Sequence, residues 1–281
     1  MLMKRENGFI LLDDYQGQAI STSGHNQVLC FAIDGEDWYF KEAEEANLYK
    51  ELFCTFICSA LDITYVEYYL AKYKGKIGHL SHNYKKMHEK VVTLYDVLID
   101  YYYSYAVELD EYQDLKSFDE LYNFHDVLKA FNYRYRSCKG KEAILHRLEK
   151  ELLDAFLLQI FLGNSDMHYK NLGVLESEED VRLTPNYDFE RAFYVSIDND
   201  LFPYALKWRR SEEKQIPRET ILEFMKDTKY QEYFFYKISL LPRMEDIPLD
   251  QAYEGQYRFF LHQYQSYLDY LRGYANQIHK I

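Results

Sequence analysis

The sequence predicts an α+β protein in which a small β-rich lobe, residues 1–80, precedes a large helical lobe, residues 81–281. Three observations carry that expectation. Short apolar or alternating runs separated by turn residues fill the N-terminal part. Beyond about residue 90, apolar residues recur at helical spacing almost to the C-terminus. A polar segment rich in Gly, Asn, Asp and Pro, Gly163–Leu206, interrupts the helices.

Taken in order, Phe9–Leu12, Gln27–Ile33 and Asp37–Lys41 read as strands, and Asp34-Gly35-Glu36-Asp37 as a hairpin connection. Glu42–Leu61 has no Gly or Pro and carries acids in its first turn. Apolar residues at Leu48, Leu52, Phe56 and Ala60 make it a helix with one buried stripe. Tyr65–Tyr73 returns to strand character, and Gly75 and Gly78 punctuate the stretch after it. Helices are expected over Thr93–Tyr105, Ser117–Tyr133, Lys141–Leu162, Pro217–Asp227, Lys229–Leu240 and Gln251–Ile281. Two short strands, Leu172–Leu175 and Val181–Leu183, fall inside the polar segment. A β-rich lobe followed by a helical lobe with an embedded polar loop is the layout of two-lobed protein-kinase-like folds.

Composition narrows the function. The 281 residues carry 46 acids against 33 bases, a net charge of −13. That balance disfavours non-specific binding to nucleic acid or to an anionic membrane, both of them polyanions. No apolar run approaches the ~20 residues of a membrane span, and the charged N-terminus lacks the apolar core of a signal peptide. Of the four cysteines only Cys54 and Cys58 are close, four apart on the expected helix, and they read as packed thiols. The expectation is a cytoplasmic protein, with secretion as an effector left open.

The chemistry concentrates in Gly163-Asn164-Ser165-Asp166-Met167-His168-Tyr169-Lys170-Asn171, directly after a long apolar helix. Asp166 and Asn171 have the Asp-to-Asn spacing of a kinase catalytic loop. One carboxylate accepts the proton of an attacking hydroxyl, and one amide oxygen further along the loop ligates a metal on the nucleotide phosphates. Beyond the strand pair, Tyr187-Asp188-Phe189 places Asp188 like the aspartate that opens D-F-G. Hard oxygen donors of this kind suit Mg²⁺. Upstream, Lys41 ends the run Trp38-Tyr39-Phe40-Lys41, where a nucleotide lysine is needed. Glu51 is its preferred partner on the next helix, with Glu44 and Glu45 as rivals. The turn Ser21–Gln27 holds a single glycine, Gly24, and its backbone around Ser23 and Gly24 can form an anion nest.

These residues resemble a known family. Gly163–Asn171 resembles the G-N-x-D-x-H-x-K-N signature of HipA-type serine/threonine kinases, and Leu183–Asp188 resembles that family's L-x-P-x-Y-D motif. The helix opening around Lys50-Glu51-Leu52 is similar to the family's helix after the nucleotide lysine. The resemblance implies Asp166 as catalytic base, Asn171 and Asp188 as Mg²⁺ ligands, Lys41 as nucleotide lysine, and ATP as phosphoryl donor. It also implies a protein substrate, a helix-turn-helix antitoxin partner and a toxin role, with autophosphorylation at Ser21 or Ser23. The chain departs from the longer family members in starting too late to hold their extra N-terminal subdomain. It departs again at Ser23–Gln27, which lacks the usual glycine-glutamine-lysine pattern.

Rival readings remain open at this point. Asp166, His168 and Asn171 also fit small-molecule or phosphoinositide-type kinases, and a nucleotide-binding pseudokinase or regulatory module is the non-catalytic alternative. His168 is expected to orient the catalytic loop by hydrogen bonding. His79, His82 and His88 read as solvent-exposed histidines. Residues 129–150 hold seven bases against two acids and read as a solvated linker and helix start. Among the 30 tyrosines, those on the helix around Tyr101–Tyr105 and those along the last expected helix, as in Tyr264 and Tyr267, recur at helical spacings and read as rings packed in the core with wet hydroxyls.

Overall fold

The structure is a computed structural model that describes residues 3–20, 27–109, 124–164, 169–178, 180–190, 192–193, 227–243, 246, 261–269 and 271–273. The turn Ser21–Asn26, the residues Ser165–His168 and nearly all of the expected helix Pro217–Asp227 lie outside the described residues. The chain divides into two compact units. The first comprises Met1–Lys86, Tyr187–Ala192 and Leu241–Ile281. The second comprises Met87–Asn186 and Phe193–Leu240.

The first unit is built on a seven-stranded sheet of β1 (Arg5–Glu6), β2 (Phe9–Leu11), β3 (Gln18–Ile20), β4 (Val28–Ile33), β5 (Glu36–Glu42), β6 (Tyr68–Tyr73) and β7 (Lys76–His82). Their order is β1-β2-β6-β7-β5-β4-β3. Every pairing is antiparallel except β2 with β6. Two-residue turns set the registers. Asp34 and Gly35 both take positive φ (54° and 84°), as do Lys74 and Gly75 (50° and 78°). Such turns match the twist of the strands they join.

One face of this sheet buries Ile10, Leu12, Phe31, Ile33, Phe40, Ala71 and Leu80. Phe31 meets Tyr73 edge-on at 5.0 Å. The other face packs against α1 (Glu45–Ala60) through Phe9, Leu48, Tyr49 and Leu70. Side chains alternate along a strand, so Phe40 enters the first face and Lys41 joins its register partner His79 on the α1 face. β7 must lie close to β5 there. A Cβ on Gly78 would sit 2.3 Å from the Lys41 carbonyl oxygen. Residues 261–269 are helical, and Tyr264 packs edge-on against Phe53 at 5.4 Å.

The second unit pairs a three-stranded antiparallel sheet with helices. The strands are β8 (Lys90–Thr93), β9 (Gly173–Glu176) and β10 (Val181–Leu183), in the order β10-β9-β8. The helices are α2 (Leu94–Leu109), α3 (Phe124–Arg134), α4 (Lys141–Leu162) and α5 (Thr228–Ser239). Leu152 to Leu162 are buried without a break, so this stretch of α4 forms the centre of the unit. Phe124 meets Phe156 and Tyr230, each at 5.0 Å. Asp154, buried on α4, takes Lys237 at 2.9 Å and the Tyr233 hydroxyl at 2.7 Å, which satisfies a charge that burial would otherwise penalise. Among the described residues no helix is long and apolar enough to cross a membrane.

Several expectations are corrected. On α1, Leu48 is buried, but Leu52, Phe56 and Ala60 are only half-buried, and the core face runs through Tyr49, Phe53, Cys54, Ile57 and Cys58. β7 and β8 stand where the sequence suggested only punctuation or helix. Cys54 and Cys58 are buried free thiols, as expected. His79 is not solvent-exposed: it is buried, with Nε2 donating to the Leu48 carbonyl at 3.3 Å.

Burial, with Lys41 nearby, lowers the His79 pKa from 6.5 to about 4. Below pH 6.5 the unfolded chain takes a proton that the folded one refuses until about pH 4. His79 therefore favours the folded state above pH 6.5 and progressively less as pH falls. Between pH 6.5 and 5 the loss is about 2 kcal/mol. Chemical denaturation at both pH values should show wild type losing more stability on acidification than His79→Gln, which keeps a donor for Leu48.

Candidate active site

The pleat of β5 and the packing of α1 bring Lys41 and Glu51 to the same side of the sheet. The segment Tyr187–Ala192 returns to that side within the same unit. Lys41 Nζ donates to Glu190 Oε1 at 2.6 Å and lies 3.7 Å from Asp188 Oδ1. Burial works to lower the Lys41 pKa, but Asp188 and Glu190 more than offset it and hold the ammonium above its ordinary value.

Asp188 has φ 63°, a left-handed conformation that costs a non-glycine residue energy unless its surroundings impose it. Hydrogen bonds from several directions hold this segment. The Asp188 N–H donates to the Tyr68 hydroxyl, which β6 carries into the interior. The Phe189 N–H donates to Glu51 Oε1 at 2.9 Å. Lys50 Nζ donates to the Glu190 carbonyl at 2.9 Å. The Ala192 N–H closes back on the Phe189 carbonyl at 2.9 Å. The Phe189 ring is fully buried. Adjacent residues of α1, Lys50 and Glu51, thus grip the backbone on either side of Phe189.

Glu51 sits differently from the expectation. The sequence made it the partner of Lys41, whereas the short ion pair goes to Glu190. Glu51 is buried with Oε1 on the Phe189 N–H and Oε2 without a partner among the described residues. Burial, with Asp188 adding to it, pushes its carboxyl up to about 8. The sequence reading missed Glu190; the available signal was a second acid two residues after Asp188. Glu44 and Glu45 line a cavity at the start of α1 together with Gln27, Glu42 and Glu190.

In the second unit, Asn171 follows a tethered stretch. The Tyr169 and Leu172 carbonyls accept from the N–H groups of Tyr95 and Leu94, at 3.1 and 2.9 Å. Thr184 closes the base of the β9–β10 hairpin, donating its N–H to the Gly173 carbonyl at 2.8 Å and accepting the Gly173 N–H at 3.1 Å. On the other side of Ser165–His168, Gly163 ends α4 in the left-handed conformation that glycine adopts freely. Asn171 is half-buried. Asp166, His168, Ser21, Ser23 and Gly24 lie outside the described residues.

The arrangement joins a strand lysine, a helix glutamate and an aspartate on a constrained loop. The HipA-like C-terminal domain family matches residues 27–234, and the chain belongs to that family. No curated protein matches it significantly. Among solved structures, the Helicobacter pylori proinflammatory kinase CtkA aligns with a TM-score of 0.61 at 16% identity, over 96% of this chain and 98% of that one. HipA of Shewanella oneidensis MR-1, solved with HipB and its operator DNA, aligns with a TM-score of 0.50 at 14% identity, over 94% of this chain and 67% of that one. The fold is that of protein-kinase-like proteins.

Tyr68→Phe should leave the Asp188 N–H without its acceptor in the interior. Thermal unfolding is expected to show a loss of about 1–3 kcal/mol. Hydrogen exchange at residues 188–190 should rise above that of wild type.

Proposed function

We propose that this protein is an ATP- and Mg²⁺-dependent kinase that phosphorylates a serine or threonine hydroxyl of another protein. The observation that carries the reading is the meeting of Lys41 with Asp188, far apart in sequence, on a chain of the HipA-like family. The donors present fit a hard cation: they are carboxylate and amide oxygens, and Glu51 Oε2 is a buried acceptor without a partner.

In this reading residues 1–80 serve the nucleotide and residues 81–281 supply the catalytic and metal-binding loops. Lys41 leaves its carboxylates to hold the nucleotide phosphates, together with backbone N–H groups around Ser23 and Gly24. Asp188 and Asn171 hold Mg²⁺, which when bound neutralises charge on the phosphates. Asp166 orients the attacking hydroxyl and accepts its proton, and His168 steadies the loop. The hydroxyl oxygen bonds to the γ-phosphorus as the bond to the β–γ bridging oxygen breaks, and ADP leaves. Tyr68, Lys50 and Glu51 position Asp188 through the backbone.

The HipA structure with HipB and DNA motivates the partner: a small helix-turn-helix antitoxin, with this chain as a cytoplasmic toxin. Labelling of a cell lysate with [γ-³²P]ATP tests the chemistry. Wild type should label a protein band, and Asp166→Ala should reduce transfer by about 10²–10⁴-fold while nucleotide still raises its melting temperature. Equal labelling by the variant would overturn the assignment. Phosphopeptide mapping of the same sample should find Ser21 or Ser23 modified, and an unmodified turn would remove autophosphorylation from the reading.

A further inference from the structure

Three carboxylates converge beside Lys41. Glu51, Asp188 and Glu190 each offer an oxygen, and these oxygens lie within 4.8 Å of one another. Opposite ligands of one cation stand about 4.1 Å apart around Mg²⁺ and about 4.6–5.2 Å apart around Ca²⁺, so the three oxygens fall within the span of a Ca²⁺ sphere and need at most a small contraction for Mg²⁺. Two come from the constrained segment and one from α1, so the backbone bonds described above fix their separation.

Glu51 makes the cluster more than a group of surface acids. It is 2% exposed, its Oε1 takes the Phe189 N–H, and its Oε2 has no partner. A buried acceptor of this kind is costly unless something meets it. The Lys41 ammonium meets the cluster, 2.6 Å from Glu190 and 3.7 Å from Asp188. Lys50 also reaches the segment, donating to the Glu190 backbone carbonyl at 2.9 Å. The cluster thus offers more carboxyl oxygens than Lys41 engages.

We propose that Glu51, Asp188 and Glu190 form a site for a hard divalent cation, held in competition with the Lys41 ammonium. The proposal rests on the functional reading only in taking Asp188 as a cation ligand, and it requires no nucleotide. When Lys41 turns to an anionic ligand, the vacated carboxylates take the cation. The two events then favour each other, because each relieves the charge that the other leaves exposed.

Mn²⁺ titration of the full chain without nucleotide tests this, with free Mn²⁺ read by electron paramagnetic resonance. Lys41→Met removes the competing charge and should tighten Mn²⁺ binding about tenfold or more relative to wild type. Lys41→Gln provides the same comparison should the methionine variant fail to fold. Adding Glu51→Gln or Glu190→Gln to the Lys41 variant should abolish the gain. Binding no tighter than wild type in both Lys41 variants would overturn the proposal. So would a gain that survives both glutamate substitutions. Because nucleotide is absent, a failure here is distinct from a failure of the kinase reading, which the Asp166→Ala labelling decides.

Discussion

The gathering of three carboxyl groups around the Lys41 ammonium governs the first unit. Lys41 is held between Asp188 and Glu190, while Glu51 stands buried behind them with one oxygen committed to the backbone. Such a cluster persists only where the chain holds the acids together against their repulsion. Each surrounding feature serves that end. The pleat turns Lys41 away from the core that takes Phe40. The bare Cα of Gly78 lets β7 close on the Lys41 backbone. α1 supplies Lys50 and Glu51 as a pair, and Tyr68 receives the N–H of a residue whose backbone would otherwise relax out of the left-handed region.

Helix α4 matched its expectation at both ends, Lys141 and Leu162, because glycines at 140 and 163 bracket an unbroken apolar run. The β4–β5 hairpin was equally legible, since Asp34-Gly35 specifies a two-residue turn. β7 was not. Lys76, Gly78 and His79 dilute its alternation, and the reason for each polar residue lies across the sheet or on α1. The stripe assigned to α1 advanced by four residues at every step, which drifts around a helix of 3.6 residues per turn. The face actually buried mixes steps of three and four, as in Glu51, Cys54 and Cys58, and is broadened by Tyr49, Phe53 and Ile57.

The site divides in the same way. Lys41 and Asp188 were legible because a charged residue ending an apolar strand, and an aspartate after a hairpin, stand out locally. The role of Glu51 was not, because a helix glutamate can face a lysine or a backbone N–H with the same spacing. Glu190 was passed over for the same reason, as its meaning depends on Lys41, which lies far away in the chain. His79 was misread because burial of an imidazole is decided by the Leu48 carbonyl of a neighbouring helix.

The first unit is discontinuous: to its N-terminal stretch it adds Tyr187–Ala192 and Leu241–Ile281. During synthesis, the sheet and α1 emerge from the ribosome long before Asp188, Glu190 and Tyr264. Until then Glu51 has no Phe189 N–H and Phe53 lacks the Tyr264 ring. A nascent chain therefore carries the lysine without the aspartate and glutamate that it meets in the folded unit. Translation itself delays this cluster until residue 190 has been made, and a chain cut short before residue 188 cannot form it.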